Sequence, residues 1–171
     1  MTKYQESSIS NSAYNGCGCL LLLMGIVAIG AIALPSVMDT TNRRKAFQSE
    51  AKYYVGSMNR AQQSIFIEKS AFATSVNALG IGIKTETKNY KYSVRATKQT
   101  AFNYGVSKKP ELKSYVGGVF VIRAKSNNGE DEMRTESILC STDTPGTIPH
   151  LPPRLQNSKL VCPTGTTQVT K

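Results

Sequence analysis

Residues 17–34, CGCLLLLMGIVAIGAIAL, form an unbroken uncharged run of eighteen, closed by Pro35. A hydrocarbon core about 30 Å thick needs about 20 helical residues at about 1.5 Å each, so the run is just long enough to span it. Leu20 to Leu23 beside Ile26, Val27, Ile29 and Ile32 leave no polar face, unlike the half-apolar surface of a helix on a soluble core. A removable secretory signal would show a basic start, a shorter apolar stretch and a small-residue exit. Here only Lys3 and Glu6 are charged before the run, and Pro35-Ser36-Val37-Met38-Asp39 follows it. The expectation is a single-pass membrane anchor over 17–34, preceded by a polar leader or disordered segment over 1–16. Membrane lipid is accordingly an expected partner.

Residues 36–171 suffice for one domain of ordinary size. All but one of the basic and all but one of the acidic residues lie there, so this part carries the net charge of +10. Such an excess attracts anionic lipid, nucleic acid or polysaccharide without naming one of them. The basic residues (Arg43, Arg44, Lys45, Lys84, Lys88, Lys91, Lys108, Lys109, Lys113) are dispersed, which reads first as a solvated surface. The four cysteines fall into two pairs. Cys17 and Cys19 start the apolar run, whereas Cys140 and Cys162 flank the Pro-rich stretch STDTPGTIPHLPPRLQNSKLV, which has little periodicity and reads as a loop. In an oxidising compartment the second pair could close that loop; in the cytosol it would remain two thiols. Neither pair has a C-x-x-C partner and His150 stands alone, so no metal or other cofactor is expected.

After Pro35 the period is helical. Phe47, Ala51, Tyr54, Met58, Ala61 and Ile65 recur at spacings of three and four, predicting an apolar stripe, with Asn59, Arg60 and Gln62 among the residues assigned to the wet face. The predicted helix continues over 35–79, joining the anchor if Pro35 only kinks it, and ends before Gly80 and Gly82. From residue 80 the period becomes two. Tyr90–Val94, Phe102–Val106, Tyr115–Arg123 and Glu136–Cys140 predict three or four antiparallel strands, with Gly117-Gly118 a bulge or close-packing point and Asn128-Gly129 a turn. The fold class is therefore α+β: a long N-terminal helix, transmembrane in its first half, packed on a small antiparallel sheet, with a β-sheet head over 80–171.

In this order, GIVAIGAIALPS, SEAKYYVGSMNRAQQSIFIEKSAFA, GIKTETKNYKYSV, NYGVSKKPELKSYVGGVFV, ILCSTDTPGT and VCPTG resemble the type IV pilins and the pseudopilins of general secretion, in particular the cyanobacterial type IV pilin-like proteins. The resemblance implies a helix that holds the subunit in the membrane and in a filament core, a head outside the cytoplasm, and other pilin-like subunits as partners. It also implies a disulfide near the C-terminus, which maps onto Cys140 and Cys162. The front departs from the pattern, in which a peptidase cuts after a glycine and a glutamate stands fifth in the mature chain. Cleavage between Gly16 and Cys17 makes Leu21 fifth; an ungapped register to Pro35, cutting between Ala13 and Tyr14, makes Gly18 fifth. Neither supplies a carboxylate to meet a neighbour's amine, so a minor, accessory or unprocessed subunit is expected. Arg43, Arg44 and Lys45 after the run would put the head inside by the positive-inside rule, against the family and the cysteine pair; outside, periplasmic or at the cell surface, is the expectation.

Catalysis is not expected. No Ser-x-x-Lys, Gly-x-Ser-x-Gly or phosphate-binding glycine loop is present, and the acidic Gly-Glu-Asp-Glu stretch reads as a solvated turn. The competing function is a membrane-tethered basic module that captures extracellular DNA or an acidic polysaccharide.

Overall fold

The computed structural model of the chain describes residues 15–125, 129 and 131–169, with side chains described from Asp39 onward. The chain divides into two units, Met1–Asn42 and Arg43–Lys171. Helix α1, Asn15–Lys69, includes Pro35. The side chains of the apolar run 17–34, and with them Cys17, Cys19 and the Gly16/Cys17 cleavage register, lie outside those described, as do Ala13 and Tyr14 altogether. Among the described residues no helix is long and apolar enough to cross a membrane.

Within the second unit, α1 buries Ala51, Val55, Met58, Asn59, Gln62 and Phe66. These positions share one helical face, but it is rotated from the expected stripe. Phe47 is 37% exposed, Tyr54, Ala61 and Ile65 are half-buried at the margin, and Asn59 and Gln62, assigned to the wet face, are inside. The correction has a physical reason: both amides find backbone partners. Asn59 Nδ2 donates to the Ile138 carbonyl at 2.9 Å, and Gln62 closes a two-way bond with Ala73, donating to its carbonyl and accepting from its N–H, each at 2.9 Å. A buried amide so paired costs little, whereas an unpaired one costs about 1–3 kcal/mol.

The same Gln62 clamp explains why the helix stops at Lys69 and not at 79. Ser70 turns left-handed (φ 52°), its N–H still bonded to Phe66 at 2.8 Å, and the chain folds back. Phe72, Ala73, Val76 and Leu79 are thereby buried, with a single 3-10 turn over Asn77–Leu79.

The strands are β1 Tyr90–Ala96, β2 Thr100–Ser107, β3 Tyr115–Lys125, β4 Asp131–Thr142, β5 Arg154–Gln156, β6 Lys159–Val161 and β7 Thr166–Gln168. Among the described residues the main sheet has five antiparallel strands in the order β1-β2-β3-β4-β7, against the three or four expected, while β5 and β6 pair separately. Gly117 and Gly118 stay in register with both neighbouring strands, so they form no bulge. They are close-packing points. A Cβ on Gly117 would lie 2.1 Å from Asn59 Oδ1, and one on Gly105 would lie 2.8 Å from Val55 Cγ2. Bare backbone on β2 and β3 is what lets α1 come down far enough for Asn59 to reach the sheet.

Beside this contact, Tyr54, Tyr90, Tyr92 and Tyr115 gather around Val55, Met58 and Leu112. The Tyr90 hydroxyl donates to the Lys113 carbonyl at 3.0 Å, whereas the buried Tyr92 hydroxyl has no partner among the described residues. Burial pushes the phenols of both Tyr90 and Tyr92 well above the ordinary range, and the Glu50 carboxylate adds to each shift. The folded state thus keeps protons that the unfolded chain loses above about pH 10, and stability present below that pH falls as the pH climbs past it.

These contacts set the outcome of substitution and of alkaline titration. Gln62→Ala strands the N–H and carbonyl of Ala73 and should lower urea-unfolding stability by about 2–4 kcal/mol; Met58→Asp buries a charge and should abolish folding, while exposed Arg60→Asp stays within about 0.5 kcal/mol. In an alkaline titration followed by circular dichroism, unfolding should set in above about pH 10. Tyr92→Phe should move that onset upward without loss at neutral pH, whereas Tyr90→Phe should cost about 1 kcal/mol at neutral pH.

Candidate interaction surfaces

On the face of the sheet away from α1, the alternation of β2, β3 and β4 sets Tyr104, Val116, Phe120, Ile138 and Cys140 in a second buried cluster. Phe102 and Phe120 meet edge to face, with centroids 5.7 Å apart. The stretch after β4, read from sequence as a loop, is the cover for this cluster. It contains the β5–β6 hairpin, sends Leu160 and Cys162 against the cluster, and buries Pro153. Gly118 faces this layer: a Cβ there would lie 2.7 Å from Pro153 Cγ. Cys140 and Cys162 are bonded, with Cα atoms 5.8 Å apart. The loop is tied at its ends by Asp143 N–H to Gly165 at 3.0 Å and by Gly146 N–H to Leu112 at 3.0 Å, and β7 then pairs with β4. Sequence reasoning missed this layer, though the alternation of Leu160 and Cys162 was a faint strand signal.

Between this cover and the β1–β2 hairpin runs a groove of about 560 Å³, lined by Lys91, Arg95, Tyr104, Lys108, His150 and Leu151 among others. Because Tyr90 and Tyr92 point to α1, period two turns Lys91, Ser93 and Arg95 to the opposite face. The Arg95 guanidinium lies 5.9 Å from the centre of the Tyr104 ring, and burial raises the phenol of Tyr104 while Arg95 opposes the shift. Lys108 pairs with Glu86, and that contact, followed by the nearby Lys91 charge, holds the Glu86 carboxyl below its usual range. No ion pair of Lys91 or Arg95 is present among the described residues. The lone His150 packs beside Gly165, whose Cβ would lie 3.6 Å from its Cε1.

A second groove, of about 550 Å³, lies between α1 and β4, with Lys52, Tyr53, Arg60, Gln63, Ser137 and Gln168 on its walls. Arg60 lies 5.9 Å from the Tyr53 ring centre and donates to Ser57 at 2.8 Å. Tyr53 is 66% exposed and Ile67 80% exposed on the outward side of the helix. The acidic residues Asp131 and Glu132, read from sequence as part of a solvated turn, are exposed but belong to strand β4, paired with Lys125 and Ala124 of β3, and Glu136 is bonded to Arg134 at 2.9 Å. Among the described residues no three His, Cys, Asp or Glu side chains come together as a metal site would.

A family model for type IV pilin-like G and H proteins matches residues 48–163, more than half of the chain, from the buried stretch of α1 to just past Cys162. No curated protein and no solved structure matches the chain.

The bond between Cys140 and Cys162 closes a loop with a sequence separation of 22. Reduction, or the double substitution Cys140→Ala with Cys162→Ala, should lower stability by about 3 kcal/mol on the chain-entropy scale. Urea unfolding with and without reductant checks this, and the loss should be accompanied by binding of an apolar dye as Tyr104, Val116 and Phe120 are uncovered.

Proposed function

This chain belongs to the type IV pilin-like G and H family, and from that premise we propose that it is a membrane-anchored, minor or accessory subunit of a type IV pilus or related secretion filament. The family match over 48–163 carries the reading. Anchoring is supported by the uncharged run 17–34. Placement of the head outside the cytoplasm is supported by the Cys140–Cys162 bond, since disulfides persist in oxidising compartments. The minor role is supported by the absence of a glutamate at Gly18 or Leu21, the fifth position in either cleavage register. A filament core of packed apolar helices holds a carboxylate where a partner amine compensates it, and this chain offers none there.

A second reading is a tethered basic module for polyanions. The observation favouring it is the net charge of +10 together with the convergence of Lys91, Arg95 and Lys108 on one groove.

Shearing filaments from cells and comparing them with the membrane fraction tests the first reading. The expected result is a membrane-retained protein that is a trace component of the filaments; abundance there would contradict the minor role. Leu21→Glu or Gly18→Glu should increase filament entry in whichever register applies, and a chain absent from filaments in both variants would leave only the membrane role.

A further inference from the structure

We propose that the groove between β1–β2 and the disulfide-closed cover binds an acidic polysaccharide, with Lys91 and Arg95 as its main anion contacts; this rests on the reading of the head as a basic module. The two side chains stand on one face of β1 four residues apart, about 13 Å along the strand. A chain carrying repeated charge can engage both along that span, so a polyanion suits this spacing better than a single carboxylate or phosphate. Both are exposed and have no ion pair among the described residues; Glu86 is bonded to Lys108 and lies near Lys91, which leaves Arg95 the less committed of the two cations. Arg95 is the stronger element, because a guanidinium meets a carboxylate through two parallel hydrogen bonds, and it lies 5.9 Å from the centre of the Tyr104 ring.

The remaining walls choose between polyanions. They are concave and built of Pro149, Leu151 and Pro152, with the hydroxyls of Ser93 and Thr147 on the lining. Leu151 is 76% exposed. Alternating apolar faces and hydroxyls are the chemistry of a sugar chain. A DNA duplex is read by a protruding element that enters its groove, and this is a recess. Single-stranded nucleic acid needs open aromatic faces for its bases, but Tyr104 is only 7% exposed and lies under Arg95.

The full-length chain in detergent micelles is titrated with polygalacturonate, neutral dextran and duplex DNA, alongside two variants. Arg95→Glu combined with Lys91→Glu reverses the groove, and Arg123→Glu combined with Lys125→Glu reverses exposed charge at the far end of β3. Circular dichroism confirms that each variant is folded. Expected are binding to polygalacturonate, none to dextran, a loss of about tenfold or more in the groove variant, and little change in the β3 variant. Equal losses in both variants would overturn the groove while keeping the basic-module reading. Tighter DNA binding with the same groove dependence would overturn the polysaccharide assignment alone. No binding to either polyanion would overturn both.

Discussion

The position of the helix on the sheet depends on one polar contact in an apolar layer. Asn59 receives a hydrogen bond from Asn103 Nδ2 at 2.9 Å and gives one to the Ile138 carbonyl, linking α1 to β2 and β4 over the bare backbone of β3 at Gly117. Apolar burial supplies most of the favourable free energy but is non-directional; it does not choose among neighbouring helix rotations. A buried amide does choose, because any other rotation leaves it unpaired at a cost of about 1–3 kcal/mol. Gln62, one turn on, uses the same device to pin the chain that follows the helix.

That dependence explains what was legible in the sequence. Ala51, Met58, the tyrosines of β1 and the long apolar β3 announce themselves by period alone, and the α+β class follows from them. The rotation of the helix was not legible, because Asn59 and Gln62 are polar and a pattern of polar and apolar residues assigns them outward. Nor was the end of α1 at Lys69, since Ser70 in a left-handed turn carries no glycine signal. The short strands β5, β6 and β7, three residues each, carry at most the faint alternation of Leu160 and Cys162, too little periodicity to register as strands.

For the candidate sites, composition gave the sign of the charge and nothing of its arrangement. Lys91, Arg95 and Lys108 are dispersed in sequence, yet the antiparallel pairing of Lys91 with Val106 brings the three to one wall. The covering loop supplies the other wall, and its placement depends on Gly118 and Pro153, a contact between residues 35 positions apart that no local pattern encodes.

The outer edge of β1 has a consequence for how such heads can meet. An exposed edge strand is a template for another chain's backbone. Here the preceding segment already occupies part of it, with Thr87 N–H bonded to the Tyr90 carbonyl and Tyr92 N–H to the Thr85 carbonyl, each at 2.8 Å. Beyond Tyr92 the edge carries the exposed charge of Arg95, and at the opposite edge β7 is only three residues long. Sheet-to-sheet annealing between copies is thereby disfavoured at high local density, so crowded heads are steered toward side-chain contacts, which can be broken and remade, and away from the irreversible cross-strand growth of an aggregate.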